Sequence, residues 1–173
     1  MKLVMVIPPG EFKDETVVKV SETMQKWKVD LLIASSTKNE CKGSHGAMIK
    51  PKLLISDINS NDFDGIIISN GLGIEDYKLY ESRQLIDLIK HFNENRKIIC
   101  GIGNGLKIIS RANIISNKKI CSLKDPETLR FVKLFRGIVT ENDVQIDQNL
   151  ITATSSDKVS EFSKAIIEVL ELL

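Results

Sequence analysis

Residues 97–109, KIICGIGNGLKII, decide the fold expected for this chain. A short apolar run leads into three glycines within five residues, and a helical pattern follows them. This order predicts a buried strand, a sharp turn and a helix, the arrangement of a nucleophile elbow. Such a turn lifts one side chain above the carboxyl edge of a parallel sheet, where Cys or Ser is usual. Gly103 falls at the apex here, so the corner is expected to carry no attacking side chain.

Composition is that of an ordinary soluble globular domain. The chain has 173 residues, of which 42% are hydrophobic and 27% charged, and its net charge is +1. This size suits one domain, residues 1–173. The charge gives no long-range attraction to nucleic acid or to a membrane surface. No apolar run approaches the ~20 residues of a membrane span, and the first residues do not read as a signal peptide. We therefore expect a cytoplasmic protein with neither nucleic acid nor membrane as a partner.

Apolar runs alternate with amphipathic segments along the chain. This alternation predicts an α/β protein in which one mostly parallel sheet is covered on both faces. The predicted strands are residues 3–7, 29–34, 65–69, 97–102 and 150–153. The predicted helices are residues 11–26, 79–92, 105–112, 125–134 and 158–172. Residues 138–140 and 144–146 flank a short polar segment and are a candidate hairpin.

The cysteines and histidines are few and widely spaced. Three cysteines without a Cys-x-x-Cys pair argue against a disulfide framework and a zinc site. Cys100 lies inside a predicted buried strand and is expected to be inert, whereas Cys121 ends a short strand near the pocket rim. Cys41 falls in a polar loop without an expected role. His45, in a glycine-flanked turn, is expected to be structural.

Several segments, taken in order, resemble one known family. They are the first strand Leu3-Val4-Met5-Val6-Ile7, the helix start Glu15-Thr16-Val17-Val18, the turn Gly43-Ser44-His45-Gly46, the run Asp62-Phe63-Asp64-Gly65-Ile66, the loop Ser69-Asn70-Gly71 and the closing strand Leu150-Ile151-Thr152. Their order and spacing over nearly the whole chain resemble the DJ-1/PfpI superfamily. This superfamily includes PfpI-type intracellular proteases, deglycase and chaperone proteins, and relatives of class I glutamine amidotransferases.

The resemblance implies a flavodoxin-like three-layer α/β/α sandwich, usually assembled as a homodimer or larger oligomer. It also implies a site built from a Cys at the elbow, a Glu at the start of the first helix and a backbone oxyanion pocket. By the same resemblance, Gly103 stands for the Cys and Asn104 for the residue after it. Glu15 stands for the acid and Gly71 for the pocket glycine. Asn70 departs from the Gly that the family has beside that position.

These matches predict a pocket formed by Glu15, Gly71, Gly103, Asn104 and Cys121. Because glycine cannot attack a substrate, the leading hypothesis is a non-catalytic member that binds a small molecule or serves as an oligomeric scaffold. Glu15 is expected in this pocket, although a solvated carboxylate at a helix start is the simpler alternative.

Other functions stay open at this point. The main alternative is a hydrolase, of protease, amidase or deglycase type, that uses a water activated by Glu15 or a displaced cysteine. A flavodoxin-like cofactor carrier and a phospho-acceptor receiver domain fit less well. The glycines of residues 101–105 lack the spacing and the Lys-Ser/Thr of a nucleotide loop. We expect no cofactor and no metal.

Overall fold

A computed structural model describes all 173 residues of the chain. Its strands are β1 (Lys2–Val6), β2 (Gly10–Phe12), β3 (Asp30–Ser35), β4 (Cys41–Gly43), β5 (Met48–Ile49), β6 (Leu53–Leu54), β7 (Gly65–Ile68), β8 (Ile98–Ile102), β9 (Lys119–Ile120), β10 (Ile138–Val139), β11 (Val144–Asp147) and β12 (Leu150–Ala153). Its α-helices are α1 (Asp14–Lys26), α2 (Gly73–Asp76), α3 (Arg83–Glu94), α4 (Leu106–Arg111), α5 (Pro126–Leu134) and α6 (Val159–Glu171).

Seven strands form the central sheet, in the order β11-β12-β8-β7-β1-β3-β6. Every neighbouring pair is parallel except β11 and β12. Parallel neighbours need crossover connections, and helices supply most of them. The mostly parallel sheet confirms the α/β class predicted from the alternation of apolar runs and helical patterns.

The two faces of the sheet are both covered, as strand β1 illustrates. Its side chains alternate, so that Leu3 and Met5 join one hydrophobic cluster while Val4 and Val6 join another. The first cluster includes the apolar faces of α1 and α6, and the second those of α3 and α4. Burial on both faces explains why the strand reads as a continuous apolar run. The result is a three-layer α/β/α sandwich.

The hairpin predicted between residues 138–140 and 144–146 is wrong. Strand β10 pairs instead with β9, in parallel, and β11 pairs antiparallel with β12. The turn of the true hairpin holds Gln148 at φ 57°, a left-handed conformation that lets the strands reverse within two residues. Turn residues lie on both sides of β11, so the local sequence does not decide which strand it pairs with. It pairs with β12, which is at the edge of the central sheet without it.

Helix α1 begins at Asp14, three residues later than predicted. Residues Gly10–Phe12 form a strand that pairs with β4, whose Cys41 is buried rather than placed in a polar loop. This small sheet fixes the chain ahead of the helix. The later start also decides which residue near the start of the helix approaches the candidate site.

No helix of the protein combines the length and the apolar character needed to cross a lipid bilayer.

Candidate functional site

The predicted corner follows β8 at the carboxyl edge of the sheet. Gly103 adopts φ 56°, in the left-handed region, and the chain passes through a single 3-10 turn into α4. A Cβ atom placed on Gly103 would lie 2.9 Å from Nδ2 and 3.1 Å from Cβ of Asn70. Both the backbone conformation and the neighbouring side chain therefore favour glycine here.

Asn104 ties the corner to the loop after β7. Its Nδ2 donates to the carbonyl oxygen of Gly71 at 2.8 Å, and the Gly71 N–H donates to its Oδ1 at 3.0 Å. Gly71 has φ 134°, and a Cβ there would lie 2.2 Å from the Glu11 carbonyl oxygen. The loop is thus held on one side by the corner and on the other by the strand before α1. Both backbone polar groups of Gly71 are already satisfied within the protein.

Asn70 fills the space between these two glycines. It is 5% exposed, and its Oδ1 is buried without a hydrogen-bond partner. Its backbone carbonyl accepts from the N–H of Lys13 at 2.9 Å. A buried carboxamide oxygen without a partner is unusual, because such groups are nearly always paired in native proteins. This carboxamide is the feature of the corner that the rest of the protein leaves unsatisfied.

A cavity of about 430 Å³ opens above this corner. It lies where ligands bind in open α/β sheets, outside the carboxyl ends of the strands. Its wall combines one charged residue, polar side chains and two leucines. The lining residues are Lys13, Asn70, Gly71, Leu72, Gly103, Asn104, Leu123, Ser155 and Ser156.

The cavity includes three of the five residues predicted to form the pocket. Gly71, Gly103 and Asn104 line it, whereas Glu15 and Cys121 do not. Glu15 is exposed, and its Oε2 lies 3.9 Å from Nδ1 of His45. The expected place of Glu15 inside the pocket is therefore corrected. Lys13 takes that place, because residues two apart at a helix start point to different sides of the helix.

Cys121 is fully buried beside β12 and does not reach the cavity. Its Sγ lies 3.4 Å from both Oγ1 of Thr152 and the carbonyl oxygen of Asp143. Burial raises the pKa of the Cys121 thiol, and the hydrogen bond with Thr152 offsets this only in part. Burial also raises the pKa values of Cys100 and Cys41. All three cysteines are buried and reduced, as was expected for Cys100.

Asp14 fixes the glycine-flanked turn that contains His45. Its carboxylate accepts from the backbone N–H groups of His45 and Ala47 at 2.9 and 2.8 Å. Burial acts to raise the pKa of Asp14, but these hydrogen bonds outweigh it and hold the pKa below 3.8. Gly43 packs against this carboxylate, and only glycine fits there because a Cβ would lie 2.4 Å from Oδ1 of Asp14. Asp14 therefore anchors this turn to the start of α1.

Lys107 is a buried lysine that sequence reasoning did not single out. It is 1% exposed, and its ammonium contacts Glu75 and lies 3.0 Å from Glu127. Nζ also lies 5.5 Å from the ring centre of Tyr80, within cation–π range. Burial acts to lower the pKa of Lys107, but the two carboxylates act in the opposite direction and outweigh it. The pKa of Lys107 is therefore raised, and the side chain stays charged. This contact network joins α4, directly after the corner, to α2 and α5.

Sequence reasoning missed six lining residues: Lys13, Asn70, Leu72, Leu123, Ser155 and Ser156. One available signal is that each lies close to the carboxyl end of a strand or the start of a helix. For Lys107 the signal is a lysine inside the otherwise apolar run of α4. Neither signal indicates by itself which residues share a wall.

A second cleft, of about 570 Å³, lies before β8 and β12 at the opposite edge of the sheet. Its lining is polar throughout and formed by Asn93, Arg96, Lys118, Gln148 and Asn149. Ligand sites usually combine apolar walls with a few polar groups. The smaller cavity at the corner has that combination and is the better candidate. No group of three or more His, Cys, Asp and Glu side chains is placed to hold a metal ion.

Comparisons with known proteins agree with this architecture. Residues 1–169 match the DJ-1/PfpI family. An uncharacterised protein of Methanocaldococcus jannaschii is 31% identical over 170 residues, covering 98% of this chain and 82% of that protein. A glutathione-independent glyoxalase of Caenorhabditis elegans is 25% identical over 169 residues, covering 96% and 87%. The crystal structure of a ThiJ/PfpI domain protein from Brachyspira murdochii superposes with a TM-score of 0.94 at 23% identity, covering 99% of this chain and 97% of that one. The chain therefore belongs to the DJ-1/PfpI family.

Proposed function

We propose that this protein is a non-catalytic member of its family that binds a small molecule in the cavity above Gly103. One observation carries the proposal. The corner residue has no side chain, and the Asn104 carboxamide occupies both backbone polar groups of the adjacent Gly71. The corner therefore has no side chain to attack a substrate. The backbone N–H of Gly71, which would stabilise an oxyanion, is already hydrogen-bonded within the protein.

The hydrogen bond made by the Gly71 N–H argues against acyl-transfer chemistry in particular. Oxyanion stabilisation needs backbone donors aimed at the place where negative charge develops. The Gly71 N–H instead points at Oδ1 of Asn104, 3.0 Å away. A substrate oxygen would have to displace this bond, and Oδ1 of Asn104 would then lose its partner. The arrangement favours a rigid wall over a reacting one.

A hydrolase that uses a displaced cysteine or a water activated by Glu15 has less support. The thiolate is the reactive form of cysteine, and burial raises the pKa of all three thiols. None of the three cysteines lines the cavity. Glu15 lies outside it, so a water activated there would not face the corner. The glyoxalase activity named for the Caenorhabditis elegans relative is a property of that protein.

The cavity itself supports a binding role. Its volume of about 430 Å³ lies within the usual range of ~300–1,000 Å³ for small-molecule sites. Leu72 and Leu123 supply apolar wall beside polar residues such as Asn70. We also propose that the protein assembles into a homo-oligomer. Light scattering after size-exclusion chromatography measures its oligomeric state directly.

Binding of a small-fragment library, followed by ¹⁵N–¹H NMR, tests the binding proposal. We expect shift changes to cluster at Gly71, Gly103 and Asn104. Leu123→Trp, which fills the cavity, should abolish them. Leu134→Trp is the matched control, because Leu134 is 70% exposed on α5 and does not line the cavity. Shifts that cluster elsewhere, or that persist in Leu123→Trp, would contradict the proposal.

A further inference from the structure

The charge of the cavity wall indicates which class of ligand the cavity takes. Lys13 is the one charged residue among those that line it, and no carboxylate does. Lys13 takes part in none of the protein's ion pairs, in contrast to Lys38, Lys107 and Lys158. Lys13 is a half-buried residue, and an ammonium group without a protein counter-ion favours an anionic ligand.

The acidic side chains closest to Lys13 in the sequence are engaged elsewhere. Glu11 accepts from Oγ of Ser44 at 3.1 Å, and Asp14 accepts from the backbone of His45 and Ala47. Glu15, as near to Lys13 in the sequence as Glu11 is, lies 3.9 Å from Nδ1 of His45. All three carboxylates therefore face the glycine-flanked turn rather than the cavity. On the other rim, the Asp157 carboxylate accepts from Oγ of Ser155 and does not line the cavity. The charge of Lys13 is left for a ligand.

The remaining wall limits the size of the anionic group. The Gly71 N–H already donates to Asn104, so it is not available to an anion. One ammonium suits a singly charged carboxylate better than a phosphate dianion, which proteins usually bind with several donors. Leu72 and Leu123 provide apolar surface within the same cavity, and a short hydrocarbon chain fits there.

We propose that the cavity binds a small monocarboxylate, with its carboxylate at Lys13 and its apolar tail against Leu72 and Leu123. This inference rests on the proposed binding function and adds the ligand class. Asn70 lines the same cavity beside Gly103. The attraction is electrostatic, so it weakens as ionic strength rises.

A matched pair of probes tests the role of charge. Pentanoate and pentanamide share one tail and differ in the charge of the head group. We expect pentanoate to bind the full-length protein at least about tenfold more tightly, a difference of about 1.4 kcal/mol, in NMR titrations read at Gly71, Gly103 and Asn104. Lys13→Gln should remove this preference, and Lys19→Gln, on the same helix but outside the cavity, should keep it. The Lys13 side chain does not cap α1, so the substitution spares the helix.

Each other outcome has a defined meaning. Equal binding of the two probes, or a preference that persists in Lys13→Gln, overturns the monocarboxylate inference and leaves the proposed binding function standing. Stronger shifts with inorganic phosphate than with pentanoate also overturn it. No shift at the cavity with either probe or with any fragment overturns both proposals.

Discussion

At the scale of single residues, Gly103 determines what the corner can do. Its φ of 56° is the strained conformation in which an elbow presents a side chain, yet no side chain is there. Asn70 occupies the neighbouring space, with Nδ2 2.9 Å from where a Cβ would lie. The corner therefore fits glycine. A cysteine at this position would require Asn70 to move as well.

Gly103→Ala should destabilise the protein by about 1–3 kcal/mol, since it combines a left-handed backbone with a close contact. Asn70→Ala removes the nearest contact atom. The double variant should therefore lose less free energy of unfolding than the two single variants lose together, by at least about 0.5 kcal/mol. Urea unfolding of the four proteins gives this coupling. Strict additivity would show that Asn70 does not restrict the corner.

The cysteines allow a second test at this scale. Because Cys41, Cys100 and Cys121 are fully buried and burial raises their pKa values, none should react readily with iodoacetamide at neutral pH. We expect labelling of the native protein to be slower than that of the urea-unfolded protein by at least about a hundredfold. Mass spectrometry of peptides identifies each site. One thiol that labels rapidly in the native state would support the hydrolase alternative.

At the scale of elements, the start of α1 is the decisive junction. Strand β2 pairs with β4 and delays the helix to Asp14. This delay turns Lys13 toward the cavity, while Asp14 and Glu15 face His45. The same few residues therefore build the cavity wall and anchor the turn beside it.

Asp14→Asn should lower the free energy of unfolding at neutral pH by about 1–3 kcal/mol, because Asp14 accepts two backbone hydrogen bonds as a charged group. The folded state lowers the pKa of Asp14, so its stabilisation is present above about pH 4 and is lost as pH falls through the folded-state pKa. Urea unfolding between about pH 2.5 and 7 measures this. Asp14→Asn should lose less stability on acidification than the wild type. Asp30→Asn, at an exposed position, is the control, and equal acid sensitivity of Asp14→Asn and wild type would contradict the assignment.

Much of this architecture is predictable from the sequence. Strands such as residues 65–68 are continuous apolar runs because both faces are buried, and the glycines of residues 101–105 mark the corner. The wall of the cavity is harder to predict. The family resemblance predicts Glu15 as the pocket acid, but the pairing of Gly10–Phe12 with β4 places Lys13 at the site. That pairing joins segments about 30 residues apart and leaves no local pattern.

At the scale of the whole molecule, the fold is that of the DJ-1/PfpI family. Lys107 links the helix after the corner to α2 and α5, so the corner belongs to a rigid framework. A shared fold does not transfer an activity, because activity depends on the groups present at the site. Here those groups are a glycine, two asparagine carboxamides and a lysine.

The decisive test of a non-catalytic role is the rate at which the protein converts methylglyoxal to lactate. We expect no lactate above the rate without protein, for the wild type and for the Cys100→Ala/Cys121→Ala variant alike. Uptake of methylglyoxal by surface lysines and arginines yields no lactate, so this side reaction does not interfere. Sustained formation of many lactate molecules per protein chain, above all if it persists in the double variant, would contradict the proposed non-catalytic function.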